Sequence, residues 1–213
     1  MSRRIPNETV NLERRAAPQQ KRSQERIKQI LDATQRLFAF HAPQSITTSD
    51  IAKEADIPIS SVYRYFPNIY AIYVTIFEQF KKEADEIVEL ALANTVDGEW
   101  KQTLVATFGK VSALLESNDA YSIVFQYTFS SAEFSAVRDE WNHRLASHLA
   151  ERWRNGLDGF SDGNPDAVAR TIVEINCSIQ IQLLRLKETP EIRDELYNEA
   201  IVVLESYLSR YLT

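Results

Sequence analysis

The scarcities of this chain narrow what it can be. A single cysteine, Cys177, stands among 213 residues, so no intramolecular disulfide can form, and its apolar sequence neighbourhood fits a reducing cytoplasm. Five glycines are few for a β-rich fold with many tight turns. No apolar run approaches the roughly 18 residues of a membrane span. The polar, basic first residues are not followed by the apolar stretch of a secretory signal. The expectation is a soluble cytoplasmic protein that does not enter a membrane. There is no glycine-rich phosphate loop and no G-x-S-x-G element. His143 and His148 are five apart, which does not place them on one helix face for a metal. Cys177 has no histidine or basic cluster beside it in sequence, which favours an inert small residue over a nucleophile. No catalytic residue, metal or cofactor is expected.

What is present is unevenly charged. Residues 1–82 carry 13 Lys and Arg against 8 Asp and Glu, whereas residues 83–213 carry 11 against 22. Such asymmetry fits a nucleic-acid-facing part joined to something else. Much of the excess comes from the start of the chain, where "MSRRIPNETVNLERRAAPQQKR" has repeated Arg pairs, two prolines and no apolar period. Residues 1–22 therefore read as a disordered basic arm, able to reach DNA through Arg14, Arg15, Lys21 and Arg22.

From Ser23, a plausible N-cap, Ile27, Ile30, Leu31, Thr34, Leu37 and Phe38 recur at helical spacing as far as a stop at Pro43. Thr47 or Thr48 caps a short second helix with Ile51, Ala52 and Ala55, and a third turns Val62 and Phe66 inward. A long helix follows to about Asn94. Others are predicted over about 98–117, 119–129 and 133–156. After the glycine-bearing break "NGLDGFSDGNP", two long helices close the chain, with Asn164-Pro165 and Thr189-Pro190 as their capping pairs. Strand alternation is nowhere sustained. The fold class is all-α, with about nine helices: a helix-turn-helix domain of three helices over 23–68, then a larger helical bundle over 69–213.

Two short helices joined by a tight turn and braced by a preceding helix form the helix-turn-helix plan, whose second helix enters the major groove. The stretch "TTSDIAKEADIPISSVYRYF" suits that task. Ile59, Ser60, Ser61, Tyr63, Arg64 and Tyr65 are expected to point outward, where hydroxyls suit phosphate oxygens and arginine suits phosphate or a guanine edge. In Ile30-Leu31-Asp32-Ala33, Leu37-Phe38, Thr47-Thr48, Asp50-Ile51-Ala52, Ala55, Ile57, Ser61-Val62-Tyr63 and Phe66, the chain resembles the N-terminal domain of the TetR family of transcriptional regulators.

The resemblance implies a double-stranded DNA partner with a palindromic operator. Thr47 and Thr48 would sit at the start of the second helix facing phosphate, Ser60, Ser61, Tyr63 and Tyr65 on the recognition helix, and Ile59 against a thymine methyl. Asp56 stands where the family usually has the turn glycine, Pro58 where it often has a cap, and Ile69 at its lysine position, which predicts altered phosphate anchoring.

The last two helices are apolar nearly all round. Val168, Ile172, Ile175, Ile179 and Leu183 mark one, and Leu196, Ile201, Val203, Leu204 and Leu208 the other, as in helices shared between a core and a partner. The resemblance implies a homodimer through these two helices, and an unknown small-molecule effector, apolar or aromatic, enclosed by the bundle. Trp100, Phe108, Phe125, Trp141, Asn176, Cys177 and Gln180 are its candidate lining residues. The expected function is that of a repressor released by such a ligand. A DNA-binding regulator controlled by a protein partner is the alternative, and a closed, fully packed core would favour it.

Overall fold

The computed structural model describes residues 11, 21–96 and 98–213. Among the described residues there are nine α-helices and no strand. They are α1 (Lys21–Phe38), α2 (Thr48–Glu54), α3 (Ile59–Tyr65), α4 (Ile69–Asn94), α5 (Trp100–Ser117), α6 (Asp119–Ser130), α7 (Ser135–Arg154), α8 (Pro165–Arg185) and α9 (Pro190–Leu208). Short 3₁₀ turns at Pro43–Ser45, Ala132–Phe134 and Leu157–Gly159 complete the path. The expected arm lies outside the described residues except for Asn11, Lys21 and Arg22.

Several helix ends differ from the sequence expectation. Lys21 and Arg22 already belong to α1, so Ser23 lies within the helix rather than capping it; basic residues and glutamine extend a helix readily. At its other end α1 stops at Phe38, well before Pro43. Thr189 does not cap α9, because its hydroxyl donates back to the carbonyl of Leu186 at 3.2 Å. Asn164 does cap α8, its side-chain oxygen accepting from the amides of Asp166 and Ala167. Thr47 rather than Thr48 caps α2.

The core is one continuous cluster running from α1 to the end of α9. In α1, Ile27, Ile30, Leu31, Thr34 and Phe38 form the buried stripe that packs on α2 and α6. The chief connection between the two ends of the molecule is α4. At 26 residues it is roughly 39 Å long, given 1.5 Å per residue. Its first turn is capped by Asn68, whose side-chain oxygen accepts from Ala71 N at 2.9 Å while its amide donates to the Asn11 carbonyl at 2.7 Å. One turn later the Tyr73 hydroxyl donates to Pro43 O at 2.8 Å, and its ring meets Phe38 and Tyr127. Further along, Phe77 and Phe80 pack edge-on against Trp141 of α7. At Gly109 of α5, an added Cβ would lie 2.9 Å from the Tyr197 hydroxyl of α9.

Candidate functional site

At the amino-terminal end, the second helix is fixed by a capping box. Thr47 Oγ1 accepts from Asp50 N at 3.2 Å, and the Asp50 carboxylate accepts from Thr47 N at 2.9 Å and from Thr47 Oγ1 at 2.6 Å. These bonds, led by the Thr47 hydroxyl, hold the Asp50 carboxyl below its ordinary range. The Thr47 hydroxyl is thus engaged both as donor and as acceptor, which leaves the start of the helix rather than this hydroxyl to face a phosphate. From α1, Gln29 Nε2 donates to Ala55 O at 2.6 Å and Arg36 pairs with Glu54, fastening the far end of α2.

The turn to α3 shows how the chain manages without its usual glycine. Asp56 takes φ 51°, Asp56 N donates to Lys53 O at 3.1 Å, and Ile57 N donates to Ala52 O at 3.0 Å. That pair of bonds is the Schellman termination of α2, with an aspartate in the left-handed position. Pro58 supplies no side-chain cap to α3, as expected, but its carbonyl accepts from Ser61 N at 2.8 Å.

On α3, Ile59, Ser60, Tyr63 and Arg64 are exposed, Ser61 is half-buried, and Val62 and Phe66 are fully buried. Tyr65 corrects the sequence reading: it is only 7% exposed and belongs to the core. Positions 62, 65 and 66 lie on one face by their spacing of three and four, so 65 turns inward with its neighbours. Its ring instead lies beneath the Arg64 guanidinium, 5.9 Å away. The Tyr63 hydroxyl meets Thr48 Oγ1 at 2.9 Å, joining the two short helices on the outer face. Thr48, Ser60, Tyr63 and Arg64 therefore form one polar surface. Ile69 is half-buried in the first turn of α4.

A second site lies in the bundle. A cavity of about 160 Å³ sits among α4, α5, α7, α8 and α9. Of the seven residues expected to line it, Trp100, Phe108, Trp141 and Asn176 do so. Phe125, Cys177 and Gln180 do not. Phe125 is packed between Phe80, Phe129 and Trp141, a layer removed from the void. Cys177 is buried against Asn142, and burial pushes its thiol up to about 12. Gln180 is consumed in a buried bridge, accepting from Ser112 Oγ at 2.8 Å and donating to Phe108 O at 3.4 Å.

The wall also includes polar residues beyond the seven expected to line it. Arg152, on the same face of α7 as Trp141, Leu145 and Leu149, donates through Nε and Nη2 to the two carboxylate oxygens of Asp158 at 2.7 and 2.8 Å. Its Nη1 donates to the Leu92 carbonyl of α4 at 2.9 Å. Thr107 lies on the cavity face of α5 and its hydroxyl is buried without a partner. The i, i+3, i+4 spacing of Trp100, Thr103, Leu104, Thr107 and Phe108 was the available signal for that face. All three tryptophans of the chain, Trp100, Trp141 and Trp153, line the void. No helix among the described residues is long and apolar enough to cross a membrane.

Comparison with known proteins agrees with this geometry. Residues 30–76 match the family of bacterial regulatory proteins, tetR family. The chain is 26% identical over 158 residues to the HTH-type transcriptional repressor KstR of Mycolicibacterium smegmatis, covering 71% of this chain and 72% of that one. The crystal structure of a TetR-family transcriptional regulator from Streptomyces coelicolor superposes with a TM-score of 0.64 at 25% identity, over 88% of this chain and 99% of that one. SmeT, the repressor of the Stenotrophomonas maltophilia multidrug efflux pump SmeDEF, shares the fold with a TM-score of 0.69 at 18% identity, over 88% and 90%. SmeT has also been solved as a complex with triclosan.

Proposed function

We propose that this chain is a TetR-family transcriptional regulator, a homodimeric repressor of a two-fold symmetric operator, released when a small apolar or aromatic molecule fills the bundle cavity. The observation that carries the reading is the face of α3, where Ser60, Tyr63 and Arg64 stand exposed on a helix anchored from behind by Val62, Tyr65 and Phe66. One helix of seven residues reads few base pairs, so a second copy one helical turn along the duplex is needed for specificity. Support for pairing through α8 and α9 comes from Ile192, Val202 and Val203, apolar and exposed on α9, and from half-buried Ile175 and Ile179 on α8. Release through α4 is supported by position. Ala84, Val88 and Leu92 of α4 form part of the cavity wall, and the same helix begins three residues after Phe66. A ligand shifts the equilibrium only insofar as it binds the DNA-released state better.

Selection of bound sequences from random duplex DNA, followed by salt titration, tests the reading. A two-fold symmetric site with a steep salt dependence is the expected result. Failure to retain any duplex at low salt would end it. The cavity also weighs against a regulator controlled only by a protein partner, for which a filled core was the expectation.

A further inference from the structure

The cavity holds three observations that bear on what it accepts. The first is size. About 160 Å³ is close to the roughly 150 Å³ of an engineered apolar cavity that takes up benzene, which sets the scale at one ring with small substituents. The second is charge. The two charged side chains on the wall, Arg152 and Asp158, are bound to each other through both carboxylate oxygens, with side chains only 13% and 4% exposed. A carboxylate entering beside Arg152 would have to take the guanidinium from Asp158. That would leave a buried acid unpaired, a costly outcome in such surroundings. The third is one unused hydroxyl. Within their helices, Thr34 and Thr75 each donate to the carbonyl four residues earlier, and Thr128 to the one three residues earlier. Thr107 Oγ1, buried on the cavity face of α5, has no partner at all. Buried hydroxyls are ordinarily satisfied, and a ligand would satisfy this one.

We propose that the cavity is built for an uncharged single-ring molecule carrying one hydroxyl or carbonyl group, which Thr107 reads, while the Arg152–Asp158 pair turns carboxylates away. This rests on the reading above that the cavity takes an effector. It adds the chemical class of that effector and assigns specificity to three residues. The aromatic wall supplies the general affinity, and Thr107 supplies the preference for a polar substituent over none.

The three tryptophans on the wall make the test direct, because filling the void alters their fluorescence. The full-length chain is titrated at neutral pH with 4-methylphenol, toluene and 4-methylbenzoate, which share the methyl-substituted ring and differ in the group presented. The expected order is 4-methylphenol first, toluene about tenfold weaker, corresponding to one net hydrogen bond, and 4-methylbenzoate weaker still. Thr107→Val keeps the shape and should abolish the gap between 4-methylphenol and toluene while leaving toluene unchanged. Asp158→Asn should move the ratio of 4-methylbenzoate to 4-methylphenol tenfold or more toward the acid; if that variant does not fold, the other comparisons still decide. Equal binding of the acid and the phenol by the unaltered chain overturns the proposal. So does a Thr107→Val variant that loses phenol and toluene alike, which is the mark of packing. No response to any of the three overturns both this inference and the effector reading. Phenol binding in the expected order with unchanged operator affinity leaves the ligand class standing and removes only the effector role.

Discussion

Residues 21–66 and residues 100–212 use similar helices to opposite ends. The first region turns a few polar side chains outward on short helices and spends its apolar residues fastening them from behind. The second turns its aromatic residues inward and leaves a space among them. In the proposed function, the first works through what each exposed residue is. The second works through which buried residue borders a void. The contrast suggests that damage to the two regions should look different.

The largest effect is expected in the second. Phe125→Ala removes a fully buried ring from the layer behind the cavity and should cost about 3–5 kcal/mol of stability. Chemical denaturation measures it. A loss below about 1 kcal/mol would mean that the layer behind the wall is as loose as the wall itself. In the first region, Arg64→Ala should leave the melting temperature nearly unchanged yet weaken operator binding by about 1–3 kcal/mol, roughly 5- to 150-fold. If arginine meets phosphate, the salt slope should fall by about one; if it meets guanine, specificity relaxes at one position while the slope changes less. Fluorescence anisotropy over a salt series separates these.

Burial of Cys177 gives the second region an alkaline signature. Its thiol, ordinarily near 9, is pushed up to about 12, chiefly by desolvation and next by Glu174. The folded chain therefore keeps a proton that the unfolded chain gives up. The corresponding stability is complete below about pH 9 and drains away as pH rises toward 12, by at most about 1.4 kcal/mol per pH unit. Cys177→Ala should flatten the profile between pH 9 and 10, before the buried tyrosines, shifted upward as well, add their own slope. Unfolding curves at stepped pH test this. The smallest effect is expected at the turn. Asp56→Gly removes left-handed strain but frees the unfolded chain, so a gain of about 1 kcal/mol or less is expected. A loss instead would assign the aspartate a contact beyond its backbone angle.

The same contrast explains what could be read from the sequence. The nine helices were legible because their apolar spacing is long and uninterrupted, and because Pro and Asn mark several ends. The outward set on α3 was legible down to the single misplacement of Tyr65, whose hydroxyl suggested exposure although its spacing from Val62 and Phe66 already placed it inside. The cavity was read only in part. Apolar periodicity says that a residue is covered and not whether protein or empty space covers it, so Phe125 and Trp141 looked equivalent. Gln180 and Asn176, two polar residues on one apolar helix, also looked alike until Ser112 and the Phe108 carbonyl were seen to occupy the first. The ion pair of Arg152 with Asp158 was hidden for a different reason. Their pairing depends on a left-handed aspartate in a short turn, which leaves little trace in composition.

The unbroken core has a consequence for how the molecule comes apart. Because α6 packs on α1 and on the Pro43–Ser45 turn, and Tyr73 ties α4 to that turn, the amino-terminal helices share their foundation with the bundle. Heating should then give one calorimetric peak with equal van't Hoff and calorimetric enthalpies, rather than two. By the same token, a fragment ending near residue 68 would lack both α4 and α6, and α1 would be left with its apolar stripe half uncovered.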